Sequence, residues 1–298
     1  MVAVGSEEGI TRELSLSEVV SKTFRLCRKN FVKYTVLFLV VEVVIGLAYV
    51  WAYGAFPLPT LPAHPTSQDL TNWAPGFFAN LIYLVGVIGA VSLVFGTIAY
   101  GSTIKMASEE VENKPVDLGA AVRFAASKMI WMWGLGIVLA IIVGLGFIAL
   151  VVPGIILTIM FSVSFQALLI ENAGVVGSLG RSRELVSHRW LKTFAVFLVF
   201  VIIVGIASAI VSAISAPFGY WSHLVSSVLS AFYQPIIPVA TTVYFYSNRA
   251  RITPAGPSPA VPGAMPMPGM KFCPNCGTQL LITATFCPNC GAKQPAQI

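Results

Sequence analysis

Six blocks of apolar residues, parted by short polar stretches, dominate the chain. They run over roughly 34–53, 79–101, 130–151, 154–170, 194–215 and 224–247. Each has a length, about 17–25 residues, at which a helix can cross the roughly 30 Å hydrocarbon layer of a bilayer. The third and fourth blocks are parted only by Pro153-Gly154, which predicts a tight helical hairpin. The pattern therefore predicts an all-α integral membrane bundle of about six transmembrane helices.

The segments ahead of the first, third and fifth blocks have a different periodicity. Ser15–Phe31, Asp117–Trp131 and Val175–Phe194 each place apolar residues at helical spacing and then basic residues just before an apolar block. We read them as interfacial amphipathic helices, and the chain as three pseudo-repeats of one such helix followed by a pair of spans. Ser15 and Glu18 fit a capping box, and Asp117 after Pro115 fits an N-cap.

Composition supports lipid as the solvent. Of 298 residues, 56% are apolar and only 10% charged, against roughly 25% charged in soluble domains. The net charge of +6 is spread over short loops, the pattern of a topology signal and not of a nucleic-acid surface. Every Lys and Arg falls in 1–33, between the second and third blocks, between the fourth and fifth, or after the last. None falls in 54–78, at the Pro153 turn or in 216–223. With six spans those three segments share one side. The positive-inside rule places it away from the cytosol, so both termini are expected in the cytosol of a multi-pass cell-membrane protein. Residues 1–30 are polar and lack an apolar h-region near the start, so the first span is expected to act as its own insertion signal.

Outside the spans, the loop at 55–78 is rich in proline and has a single charge, Asp69. It is expected to be an irregular cap. We divide the rest into a membrane domain at 1–251, a Pro-rich linker at 252–270 and a small C-terminal domain at 271–293. The linker cannot bury a core, and at about 3.1 Å per residue it could reach on the order of 55 Å.

The most specific motif lies in that last domain. Cys273-Pro-Asn-Cys276-Gly recurs as Cys287-Pro-Asn-Cys290-Gly. Two cysteines three apart direct both sulfurs to one ion, and four thiolates at tetrahedral geometry suit Zn²⁺. Cys273, Cys276, Cys287 and Cys290 are the predicted metal ligands of a zinc ribbon. A set of four thiolates has no open position, so the zinc is expected to be structural. A rubredoxin-like iron site uses similar knuckles in a larger domain, and disulfides do not suit a reducing compartment. Phe272 and Phe286, each ahead of a first cysteine, are expected to pack the small core. The fifth cysteine, Cys27, reads as a packing residue of the first amphipathic helix, with lipidation as the alternative.

Glu42 stands eight residues into the first block, roughly 12 Å deep at 1.5 Å per residue. An ionisable group at that depth is costly and marks either a pathway or a side chain hydrogen-bonded to a neighbouring helix. Gln166, Ser162 and Gln234 are the candidate partners. In the sixth block Pro235 and Pro238 are expected to kink or break the helix, as in transporters whose broken helices line a site. Glycines in the second and third blocks (Gly86, Gly89, Gly96, Gly134, Gly136, Gly144 and Gly146) are expected to allow close helix approach. His64, His188 and His223 fall in separate loops and make no catalytic constellation. No nucleotide-binding or hydrolase motif appears, so no catalytic centre is expected.

The stretch Leu169–Val186 (LIENAGVVGSLGRSRELV), the Pro153-Gly154 turn and the closing Thr241–Arg251 segment carry a resemblance. Over roughly residues 15–251 the chain resembles the membrane domain fused to some glycerophosphodiester phosphodiesterases and the related YciC-like proteins. The phosphodiesterase barrel is absent, so the resemblance implies a fold and no hydrolytic activity. The tail resembles the zinc ribbons appended to many archaeal and bacterial membrane proteins. The function expected is that of a non-enzymatic membrane protein whose ribbon binds or senses a cytosolic protein. The alternative is a transporter or lipid-handling protein using Glu42 and the kinked sixth span. Nucleic acid is not an expected partner, since the tail holds only Lys271 and Lys293.

Overall fold

Helix signals written into the sequence start the chain's first elements. In the computed structural model, which describes residues 9–252, 270–273 and 279–287, α1 spans Leu16–Lys29. The Ser15 N–H donates to Glu18 Oε2 at 2.7 Å, and Glu18 N–H donates back to Ser15 Oγ at 3.4 Å, the reciprocal pairing of a capping box. Val19, Thr23 and Leu26 are buried on one face of α1, while Arg25, Arg28 and Lys29 are exposed. Asn30 alone parts α1 from α2, Phe31–Ala55.

The next helix is longer than its apolar block. α3 covers Ser67–Val111, because Thr66 and Asp69 form a second capping box inside the expected loop. Thr66 N–H donates to Asp69 Oδ2 at 2.9 Å and Asp69 N–H to Thr66 Oγ1 at 3.2 Å. The irregular cap is thus confined to residues 56–66. It folds back on α3 through Trp73 Nε1–H to Pro59 O and Asn80 Nδ2–H to Pro57 O, both 2.7 Å.

α4 runs unbroken over Leu118–Ala149, with Asp117 Oδ1 accepting from Ala120 N–H at 3.1 Å. The predicted second interfacial helix and third span are therefore one rod. The hairpin turns on Leu150, and Pro153 sits in the first turn of α5, Val151–Met160, where its missing N–H costs nothing. A Cβ placed on Gly146 would stand 3.1 Å from Gly154 Cα and 2.7 Å from Leu157 Cδ1. The two arms meet there at backbone distance. A turn at residues 161–163 leads to α6, Ser164–Ile170, and then come α7, Gly174–Val186, and α8, Trp190–Ser215.

The sixth apolar block is broken. A 3-10 turn at Ala216–Trp221 leads into α9, Ser222–Ser230, and α10 begins at Ile236 and ends at Ile252. Pro235 and Pro238 have no N–H to give the carbonyls of Ala231 and Gln234, four residues back. Turns closed by Tyr233 N–H to Ser230 O (3.1 Å) and Ile236 N–H to Tyr233 O (3.0 Å) bridge the gap. Five helical stretches among the described residues are long and apolar enough to cross a membrane: Phe31–Ala55, Ser67–Val111, Leu118–Ala149, Val151–Ile170 and Trp190–Ser230. The break leaves the segment expected as the sixth span in two shorter helices.

The described residues form two compact units, one spanning Ser15–Phe245 and the other built from the described parts of Met1–Leu14 and Tyr246–Ile298. In the first unit α2 packs on α3 and α9, and α3 packs on α4. Its outer surface is apolar: Ile82, Ile137, Ile141, Ile148, Val201 and Ile206 are all more than half exposed. Such a surface suits hydrocarbon and not water.

Charge separates the ends of this unit. Lys33 Nζ donates to Val116 O at 2.7 Å, which brings the start of α2 beside the α3–α4 loop, and Lys128 Nζ donates to Asn172 Oδ1 at 2.8 Å. Two of the segments without Lys or Arg, 54–78 and 216–223, meet at the other end. Tyr220 Oη–H donates to Val50 O at 2.6 Å, and the Phe56 and Tyr83 rings stack at 5.2 Å. Trp51, Tyr83, Tyr220 and Trp221 are exposed there, the composition of an interfacial aromatic belt.

The α6–α7 connection is stapled. Asn172 and Gly174 adopt positive φ of 53° and 68°, and Arg181 binds both Glu171 oxygens, at 2.7 and 3.1 Å, and Glu184 at 2.8 Å. Arg181→Ala is expected to lower stability by about 1 kcal/mol, the scale of a partly exposed bidentate pair. The same change at exposed Arg183 should have no measurable effect. Thermal melts of the two variants in micelles, read side by side, check this.

Candidate functional site

The break in the sixth apolar block opens the helical unit around the acid of its first apolar block. A cavity of about 610 Å³ lies between α2, α3, α8, α9 and the start of α10. Glu42 enters it from α2 and is buried, 8% exposed. Gln234, in the turn between α9 and α10, donates from Nε2 to Glu42 Oε1 at 3.3 Å, and Ser230, whose hydroxyl donates to Ser227 O at 2.7 Å, lines the cavity with them. Ser226 and Ser227 add hydroxyls from α9. His223, at the start of α9, stacks on Tyr49 at 4.9 Å and on Tyr53 at 5.5 Å, closing one end.

Of the three candidate partners for Glu42, the structure selects Gln234. Gln166 is turned elsewhere: its Nε2–H donates to Thr241 Oγ1 at 2.6 Å. Tyr100, whose ring meets Phe165 edge-on at 5.7 Å, also lines the cavity. The Ser162 hydroxyl is buried without a hydrogen-bond partner.

The serines and His223 carry no periodic signal and were not legible as site residues. The only cue is their spacing. Residues 223, 226, 227 and 230 are one face of a helix at i, i+3, i+4 and i+7, which shows once α9 is known to be a helix separate from α10.

A second cavity, about 640 Å³, lies between α3 and α4 with Phe165 from α6. It is lined mainly by apolar groups such as Leu93, Met132, Trp133 and Ile137, and shares Ser92, Gly96 and Tyr100 with the first. This accounts for part of the glycine pattern, contrary to expectation. A Cβ on Gly86, Gly89, Gly96, Gly136 or Gly144 would meet nothing within 4 Å. Those positions do not bring helices together. Close approaches fall instead at Gly146 and Gly154 across the hairpin, at Gly101 on α3, where a Cβ would stand 3.0 Å from Ala125 Cβ of α4, and at Gly46 on α2, where a Cβ would stand 2.8 Å from Leu224 Cδ1 and 3.1 Å from Ser227 Cβ.

The other candidate site is the cysteine tail. β1, Met270–Phe272, pairs antiparallel with β2, Gln279–Leu281, in the register Lys271 opposite Leu280. Cys273 directly follows β1, and Cys287 lies on the returning chain. Both are 2% exposed and share one cluster with Leu280 and Ala284. Cys276 and Cys290 lie outside the described residues, as do the Phe272 side chain and most of the linker. Among the described residues no group of three or more metal-ligating side chains occurs. The donor chemistry still fits a thiophilic ion, since two thiols from separate knuckles are buried against the same leucine.

Phe286 does not pack this core; it is 60% exposed. In extended chain, neighbours point to opposite sides. With Cys287 turned in, Phe286 must turn out, and Leu280 fills the place expected for it.

Cys27 is half-buried on α1. Burial, reinforced by the charge of Glu110, pushes its thiol up to about 12, which favours the packing role. Iodoacetamide at pH 8 is expected to alkylate Cys27 in the folded chain on the order of 100-fold more slowly than after unfolding, since the thiolate is the nucleophile. Peptide mass spectrometry over time reads the ratio.

Comparison with known proteins bears on the tail. No curated protein and no solved structure matches the chain. The family model of a zinc-ribbon domain matches residues 269–294, which span both CPNCG knuckles and the β1–β2 hairpin, so the chain joins several membrane-length apolar helices to a C-terminal zinc ribbon.

Proposed function

We propose that this is a non-enzymatic multi-pass protein of the cell membrane, with both termini in the cytosol, whose zinc ribbon docks a cytosolic protein. The observation that carries this reading is the division of the ribbon's surface. Cys273, Leu280 and Cys287 are inside, while Leu281, Ile282 and Phe286 are 60%, 46% and 60% exposed. Three exposed large apolar groups on so small a hairpin exceed what solubility favours and fit a contact surface.

Cys273, Cys276, Cys287 and Cys290 would hold one Zn²⁺ as a closed structural site, with no position open for chemistry. The likeness of residues 15–251 to the phosphodiesterase-associated and YciC-like membrane domains belongs to the same reading and carries no activity with it.

The test uses the full chain in native membranes. Crosslinking through an introduced photoreactive group at position 286, with and without a zinc chelator, should capture a cytosolic protein only while metal is bound. Equal capture in both arms would remove the docking role. Nucleic acid remains the weaker partner, with Lys271 and Lys293 as the tail's only cations.

A second reading, handling of a lipid or solute by the membrane domain, is favoured by the Glu42 cavity at the broken sixth segment. Discontinuous helices beside a buried acid are a recurrent way to build a site at mid-membrane. Reconstituted vesicles carrying Glu42→Gln should lose flux or lipid exchange that the parent protein supports; unchanged rates would exclude this reading.

A further inference from the structure

The two cavities of the membrane-facing unit share a wall, and their chemistries differ. Ser92, Gly96 and Tyr100 of α3 line both. On one side lie Glu42, Gln234, Tyr49, His223 and the α9 serines. On the other lie mainly apolar groups, with Trp133 tied by its indole N–H to Thr97 Oγ1 at 3.1 Å. Gly96 stands between them, and a side chain there would enter open space.

We propose that the two adjoining cavities bind an amphiphile with a primary ammonium head, seated at Glu42, and an aliphatic chain lying between α3 and α4. The inference rests on the second reading above and names its ligand class. Glu42 is the only carboxylate in either lining, and no Lys or Arg lines them. An anionic head would face that carboxylate without a cation to balance it. An ammonium has three N–H donors and no acceptor. The head cavity offers the complement: carboxylate, the Gln234 amide oxygen and the Ser226, Ser227 and Ser230 hydroxyls, with the Tyr49 ring as a cation–π face. The apolar cavity takes the chain, and each volume falls in the range of small-molecule sites, about 300–1,000 Å³. The same head chemistry belongs to an aminophospholipid of the bilayer or to a free long-chain amine.

Native mass spectrometry of the full chain released from micelles separates the cases. With dodecylammonium as the probe, a saturable adduct should form, and dodecanol and dodecanoate should neither bind nor compete. Glu42→Gln should weaken the adduct by about tenfold or more, the loss of a charge-assisted hydrogen bond. Gly96→Trp, which fills open space at the shared wall of the cavities and leaves Glu42 intact, should weaken it too. Thermal melts of both variants establish that they fold. A parallel arm with phosphatidylethanolamine against phosphatidylcholine assigns the source: selective retention of the first points to a bilayer lipid, and binding of dodecylammonium alone points to a free amine.

Equal retention of dodecanol, or an adduct indifferent to both substitutions, overturns the proposal. Flux that depends on Glu42 without any ammonium adduct removes this ligand class and leaves the handling reading standing. Ammonium binding with flux indifferent to Glu42 supports the site and removes that reading.

Discussion

Cys287→Ser should unfold the tail and release its metal while leaving the membrane-facing unit unchanged. The expected size follows from how little else holds the tail together. The described hairpin has two three-residue strands and one small buried cluster of Cys273, Leu280 and Cys287, with Ala284 packed against it. At roughly 1.5–3 kcal/mol for a fully buried aliphatic side chain, Leu280 cannot offset the ordering cost of more than twenty residues, about 1–2 kcal/mol each. Structural zinc contributes on the order of 10 kcal/mol to such domains, enough to decide whether they fold. Losing Cys287 would remove one of the four thiolates that would hold the ion.

Elemental analysis of the purified full chain should give about one zinc per chain, falling to near zero in the variant. Limited proteolysis should then cut the variant within the ribbon as readily as in the linker, and spare the helices. A ribbon that stays protease-resistant without metal would show that the fold rests on packing alone.

How far the sequence led depended on whether the deciding interaction was local. Ser15 with Glu18 and Asp117 with Ala120 act within one turn, and both helix starts stand where the spacing put them. Pro235 and Pro238 act on carbonyls four residues back, so the break in the sixth block was readable. Thr66 with Asp69 was equally local but lay in a Pro-rich stretch, and proline count masked the cap. That is why α3 extends into the expected loop.

The pairing of Glu42 with Gln234 joins positions 192 apart, yet it was within reach because a buried acid in lipid has few partners to choose from. His223 against Tyr49 was not: each looks like an ordinary interfacial aromatic until the break in the helix sets α9 against α2. The glycines show the opposite failure. Their spacing suits helix contact, but a glycine's use depends on what stands opposite, and across from Gly86, Gly89 and Gly96 there is open space.

Gly46 is one place where that contact does occur, and Gly46→Leu should be strongly disruptive in the helical unit. A Cβ at this position would already stand 2.8 Å from Leu224 Cδ1, 3.1 Å from Ser227 Cβ and 3.2 Å from Leu224 Cα. The first neighbour is the end of a side chain and can rotate away. The third is backbone, so α9 itself must shift. Overpacking a tight contact costs typically 1–3 kcal/mol, and a leucine pressed against a helix axis belongs at the upper end, about 3 kcal/mol. Gly96→Leu adds the same side chain on α3, where no atom stands within 4 Å of the new Cβ, and should cost far less. The displaced helix carries Ser227 and Ser230, so Gly46→Leu should also move the hydroxyl beside Glu42 and loosen Gln234 from the carboxyl. Thermal melts of the two variants measure the difference in stability. Protection of the Ser222–Ser230 amides by hydrogen exchange should fall only in Gly46→Leu. Equal melts for the two would mean that α2 and α9 do not pack as closely as Leu224 requires, and the polar cavity between them would lose its wall.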